Sequence, residues 1–254
     1  MINHKTIALT LLILSLPATT VAAPVVYETS GASPADIQAT VDNFRNFLGN
    51  LNPNVLGSFP DGRREINWDG VPDAFSAPNN LPANFFNSTS PRGVVFFTPG
   101  TGFQVSADSA NPTSTPVRFG NIHRTLPKLF STFSPERLFT ALNSNITEVL
   151  FFVPGSSTGA TVNGFGAVFT DVNRRDSTKI EYFDVNGALL FSRTVLQGPT
   201  KRGSLSFLGV RFDNASERVF LVRITSGNRV LKTPSKDVVV MDDFIYGEPQ
   251  PLLP

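Results

Sequence analysis

Ile180-Glu181-Tyr182-Phe183-Asp184-Val185-Asn186-Gly187-Ala188-Leu189-Leu190-Phe191-Ser192-Arg193-Thr194 is the stretch that decides the fold class. Asn-Gly between two apolar-rich runs is the strongest short-range hairpin signal, because tight turns that match strand twist need positive φ at their centre. Asp184 also resembles the start of a calcium loop. The later acidic ligand of an EF-hand is missing, so the segment reads as a turn.

The same style continues outward. Val94 to Phe97, Phe103 to Ser106, Arg137 to Phe139, Thr147 to Val153 and Gly166 to Thr170 are short apolar or alternating runs. Leu205 to Phe212, Val219 to Thr225 and Val238 to Tyr246 follow, and Arg63 to Trp68 is a further strand in a Pro-, Gly- and Asn-rich stretch. Turn residues divide them, and no helical pattern separates the later ones. The reading is all-β: an antiparallel β-sandwich, jelly-roll-like, with phenylalanine as core filler and one N-terminal α-helix. That helix starts at Ser33 as N-cap with Pro34 and Asp36 in its first turn. It carries Ile37, Val41, Phe44 and Leu48 at helical spacing and stops at Gly49.

Residues 1–23 form a secretory signal. Lys5 precedes the apolar run Ile7 to Leu14, Pro17 breaks it, and small residues lead to Ala23, the expected cleavage point, with Ala22 the neighbouring choice. The run is shorter than the roughly 20 residues of a membrane-spanning helix, so no span remains after cleavage. The remaining organisation is 24–60 helix and linker, 61–248 sandwich domain and 249–254 Pro-rich tail. The expected localisation is secreted or extracytoplasmic.

Composition removes several function classes. Cleavage leaves 254 − 23 = 231 residues, and it removes Lys5 alone among charged side chains, so 20 basic residues face 20 acidic ones. A neutral chain has no long-range field to attract nucleic acid or anionic membrane. Cysteine is absent, which removes thiol catalysis and thiolate metal sites, and His123 is the one histidine beyond the signal. No Gly-x-Ser-x-Gly elbow accompanies it.

The last strand holds the most informative site. Strict alternation puts Asp242 on one face with Val240, Phe244 and Tyr246, and Asp243 on the other with Met241 and Ile245. One face must be core, so at least one carboxylate is buried and needs a partner. Three candidates exist. A structural calcium would be ligated by Asp242, Asp243, Asp69 and Asp73 if the first and last strands are neighbours. An arginine, with Arg63, Arg64 and Arg92 as options, would form a bidentate pair. Backbone amides of a crossing loop are the third. Asp69 and Asp73 equally suit ordinary turn chemistry in Asp69-Gly70 and Pro72-Asp73. Asn87, Asn145 and Asn214 head glycosylation sequons.

Trp68 is the single tryptophan and ends a strand beside a loop, a position for a sugar-stacking platform or for the core rim. A glycosidase needs two carboxylates facing across a cleft, and adjacent strand residues do not supply that geometry.

Gly164 to Val172, Ile180 to Gly187, Ser206 to Phe212, Arg218 to Ile224 and Asp242 to Gly247 together resemble the β-sandwich domains of exported bacterial proteins, many of which carry a PEP-CTERM sorting tail. Residues 64–105 are similar to exported bacterial proteins of no assigned activity. The sequence ends at Pro254 without that sorting tail, so the resemblance implies compartment and fold and not attachment by that route. The expected function is a secreted, non-catalytic binding module with an extracellular glycan as ligand. A structural or adhesive envelope protein contacting other envelope proteins, and a polysaccharide hydrolase or lyase, are the alternatives.

Overall fold

The computed structural model describes residues 23–213, 218–232 and 237–252. Residues 1–22 of the expected signal, and Asn214 of the third sequon, lie outside them. In chain order the elements are β1 (Val25–Gly31), α1 (Pro34–Leu48), β2 (Arg63–Ile66), α2 (Phe85–Ser88), β3 (Val94–Phe97), β4 (Gly102–Val105), β5 (Phe139–Leu142) and β6 (Ile146–Phe151). They continue with β7 (Ala160–Thr161), β8 (Gly164–Thr170), β9 (Lys179–Phe183), β10 (Leu189–Thr194), β11 (Leu205–Arg211), β12 (Leu221–Thr225), β13 (Val240–Gly247) and β14 (Gln250–Pro251).

One sheet runs β1-β11-β8-β13-β5-β4, with β2 also on β13, and the other runs β10-β9-β12-β6-β3. The pairings within both sheets are antiparallel. The sandwich expected from the short strands is what the chain builds. The Asn186-Gly187 turn joins β9 to β10: Gly187 has φ +79°, and the Asp184 carboxylate accepts the Asn186 and Ala188 amides at 2.9 and 2.8 Å.

Phenylalanine fills the space between the sheets. Phe96, Phe103, Phe139, Phe151, Phe165, Phe169 and Phe244 are buried there with Trp68, Tyr182 and Tyr246. Each such ring contributes about 1.5–3 kcal/mol by leaving water.

A second apolar layer lies on the outer face of the first sheet. Ile37, Val41, Phe44 and Leu48 of α1 pack on Val168, Leu205, Phe207 and Ile245. Gly166 and Gly209 sit beneath Phe44, where an added Cβ would come within 2.9 Å of its ring. These two glycines set how closely the helix approaches the sheet.

Segment 24–60, expected as helix and linker, also supplies β1, which pairs along its length with β11. At the other end Gln250 and Pro251 make a two-residue pairing with Thr161 and Ala160, away from both main sheets. Among the described residues no helix is long and apolar enough to cross a membrane.

Candidate functional site

Asp242 and Asp243 do not point to opposite faces. Met241 pairs with Phe169 and Phe244 with Ala167, so two residues of β13 stand opposite the single Val168 of β8. This β-bulge resets the alternation: Met241, Phe244 and Tyr246 all face the inter-sheet core, while Val240 and Ile245 face outward. Both carboxylates reach one hydroxyl, Ser134 Oγ, at 3.1 Å from Asp242 and 2.8 Å from Asp243. Asp242 also accepts the Phe133 amide at 2.6 Å.

The cation beside them is Arg45 of α1, 3.2 Å from Asp243, and not Arg63, Arg64 or Arg92. Arg45 also forks onto Glu65, with its closest contact at 2.9 Å. Arg64 is instead fully buried against Glu248 at 2.8 Å. Arg63 pairs with Glu65 at 2.6 Å, and Arg92 donates to the Glu65 carbonyl at 3.0 Å. Local periodicity marks Arg45 only as the neighbour of the buried Phe44. Its partner across the sheet is a tertiary fact.

Burial pushes both carboxyls up, Asp242 most, and each also feels its neighbour. One serine hydroxyl carries one proton and cannot satisfy two carboxylates, so a shared proton bridges the pair. Asp69 lies beside the same cluster: burial raises its carboxyl against the pull of Ser134, and its carboxylate accepts the Glu136 and Arg137 amides at 3.1 Å each. Asp73 does not join them and pairs with Arg137 at 2.7 Å. The four aspartates proposed as calcium ligands therefore meet serine, arginine and backbone donors. Among the described residues no three acidic or histidine side chains converge on a point where a metal ion would sit.

Trp68 is 1% exposed, with its ring stacked on Phe139 at 4.1 Å and edge-on to Phe244 at 5.1 Å. Its indole N–H donates to the Asp242 carbonyl at 2.8 Å, which satisfies a backbone acceptor in the bulge. The recess beside it holds about 40 Å³, too little for a sugar ring. The expected ligand platform is thus a core side chain. The sequon residues Asn87 and Asn145 are likewise engaged, donating to the Ser156 and Gly227 carbonyls at 2.8 Å each.

The open chemistry lies elsewhere, in a cleft of 330 Å³ where β8 ends. Asp171 and Asn173 form one side, Lys201 and Arg202 a second, and Thr125 and Lys128 the third. Asp171 continues the ladder by donating its amide to Ser204 O at 2.9 Å, then turns with φ +71°, a conformation costly for most side chains and least so for Asp and Asn. That kink tucks its side chain in, leaving the residue 2% exposed. Desolvation, with Asp237 nearby adding to it, pushes the Asp171 carboxyl up to about 6 despite hydrogen bonds from Asn173 and Gly203 and the charge of Arg202.

Asn173 donates its backbone N–H to Asp237 at 2.7 Å, which fixes the turn, yet its side-chain Oδ1 is buried with no hydrogen-bond partner. Lys128, Lys201 and Arg202 form no ion pair among the described residues. Thr125 is held by His123, whose Nδ1 lies 2.9 Å from its hydroxyl. A raised carboxyl and three cations without ion-pair partners among the described residues surround one cleft, a set able to bind a polar anion. Sequence reading passed over it, because Asp171 looks like an ordinary strand end. The visible signal was the pairing of Arg174-Arg175 with Lys201-Arg202 in two loops of a neutral chain.

No protein-family model, curated protein or solved structure matches this chain.

Proposed function

We propose that this chain is an exported, non-catalytic glycan-binding module whose ligand is an acidic sugar held in the Asp171 cleft. The observation that carries this reading is a cleft of 330 Å³ lined by Lys128, Lys201 and Arg202, none of which forms an ion pair among the described residues. Lys128, Lys201 and Arg202 then meet a carboxylate or sulfate group through charge-assisted hydrogen bonds. The lining contains no aromatic side chain, so recognition rests on charge and hydrogen bonds and not on ring stacking.

The signal at residues 1–23 belongs to the same reading, since it would deliver the module to where such polymers occur. The Asp242–Asp243 pair, enclosed beneath α1, has a structural role in it. Screening the protein from residue 24 on an array of neutral and acidic glycans is the test. Retention of acidic glycans, weakened by salt and by Asn173→Ala, is the expected result. An array with no acidic hit, or binding indifferent to Asn173→Ala and to Lys128→Ala with Arg202→Ala, overturns it.

A further inference from the structure

We infer that the ligand is a polymer whose chain continues from the Asp171 cleft into a second cleft on the other side of the same wall. This rests on the glycan reading and extends it from a sugar to a chain. The second cleft holds 530 Å³ and is lined by Arg175, Asp176, Thr194, Leu196 and Gln197 among others. Both volumes fall in the range of roughly 300–1,000 Å³ that small-molecule sites occupy.

The wall between them is one structural unit. Segment 171–176 contributes Asp171 and Asn173 to the first cleft and Arg175 and Asp176 to the second. Segment 194–202 runs beside it, with Thr194 to Gly198 on the second cleft and Lys201 and Arg202 on the first. Two bonds of 2.9 Å stitch the segments together, Gly198 N–H to Val172 O and Gln197 Nε2 to Asn173 O. Ser30 Oγ donates to Gln197 O at 3.1 Å and Ser206 Oγ to Leu196 O at 2.7 Å, which ties the wall to β1 and β11. Asp176, with φ +59°, repeats the left-handed turn of Asp171 at the other end of this segment.

The chemistry repeats as well. Arg175, like Lys128, Lys201 and Arg202, has no ion-pair partner among the described residues. Thr194 and Gln197 offer hydroxyl and amide groups, and Leu196 is 39% exposed, an apolar contact for a sugar's C–H face. A single sugar uses one cleft. A linear polyanion engages both, and the second contact then forms at high effective concentration.

Titration calorimetry with oligogalacturonates from disaccharide to octasaccharide tests this, with a sulfated oligosaccharide series in parallel to tell carboxylate from sulfate recognition. Affinity should rise about tenfold or more once the oligomer is long enough to cross the wall. Arg175→Ala with Thr194→Ala should abolish that gain while leaving disaccharide binding in the Asp171 cleft unchanged; among the described residues neither side chain makes a hydrogen bond that would be lost. Asn173→Ala should weaken every length. If short and long oligomers bind equally, or the double variant changes nothing, the second cleft has no role and the Asp171 reading stands alone. If no member of either series binds, both readings fall.

Discussion

The Asp242–Asp243 pair and Asp171 are both carboxyl centres raised by burial, yet their surroundings differ in kind. All four carboxylate oxygens of the pair lie within hydrogen-bond distance of groups of the protein itself, on Phe133, Ser134 and Arg45, with the single Ser134 hydroxyl between the two. Asp171 has one long amide contact, from Gly203 at 3.3 Å, help from Asn173, and an open cleft in front of it. A buried polar group whose partners are all internal holds the fold together. One that lines an open cleft beside cations without ion-pair partners among the described residues is placed to meet something that arrives from outside.

Trp68→Ala breaks the closed centre most severely. Removing the ring empties the space against Phe139, Phe86 and Phe244 and strands the Asp242 carbonyl. About 4 kcal/mol of stability should go, seen in calorimetry as a fall of roughly 8–16 °C in Tm. Trp68→Phe keeps most of the packing and loses the indole bond, so it should cost about 1 kcal/mol. Glycan binding that disappears at unchanged Tm would return Trp68 to the ligand.

Arg45→Ala comes next. It leaves Glu65 and the buried Asp243 without their guanidinium, and the expected loss is about 2–3 kcal/mol, since Arg45 keeps some solvent contact. Asp243→Asn added to it should recover part of the loss, because the uncompensated charge is then gone. Additive losses in that cycle would show that Arg45 acts through packing on α1 and not through Asp243.

Asp242→Asn should stabilise the protein at neutral pH by about 1 kcal/mol. A carboxyl raised in the folded state contributes stability at pH values below its unfolded value, and that contribution fades as pH rises through the folded one. Asp243, Glu65 and Asp69 face the same cluster as Arg45 and Ser134, so ionising Asp242 adds repulsion to desolvation. The asparagine accepts from Phe133 and donates to Asp243 at every pH. A wild-type stability that falls from acid to neutral, against a flatter variant, is the measurable difference; a destabilised variant at pH 7 would refute the shared proton.

The closed centre was half legible in the sequence. Two aspartates in an apolar strand announce buried carboxylates; Asp69 comes near them because β2 pairs with β13, whereas β1, the first strand, pairs with β11. The bulge was not legible, because strict alternation is the only rule a strand's own residues supply. A bulge appears only when β8 is aligned opposite and found one residue short. Arg45 escaped for a similar reason: its helix was read correctly, but where the helix docks depends on Gly166 and Gly209 in other strands. The cleft was less legible still. Asp171, Lys128 and Arg202 come from three loops, and neither the φ of Asp171 nor its burial leaves a periodic trace in the sequence.

Asp171→Asn carries the smallest effect and separates the two centres most cleanly. Its folded value near 6 lies above the ordinary 3.8, so its stabilising contribution is complete below about 3.8 and is lost as pH rises to about 6. Discounted for solvent in the cleft, that amounts to about 1–2 kcal/mol, which the asparagine variant should no longer lose at neutral pH. The facing groups are Asp237, Arg202, Asn173 and the Gly203 amide, with Lys128 and Lys201 also lining the cleft. Once ionised, Asp171 opposes an anionic ligand. Affinity for an oligogalacturonate should therefore improve by roughly two- to fivefold as pH falls from 7 towards 5, and Asp171→Asn should bind with a flat profile. Asp242→Asn, buried beneath α1, should leave that binding profile untouched. A pH profile that follows Asp242 and ignores Asp171 would reverse the roles of the two centres.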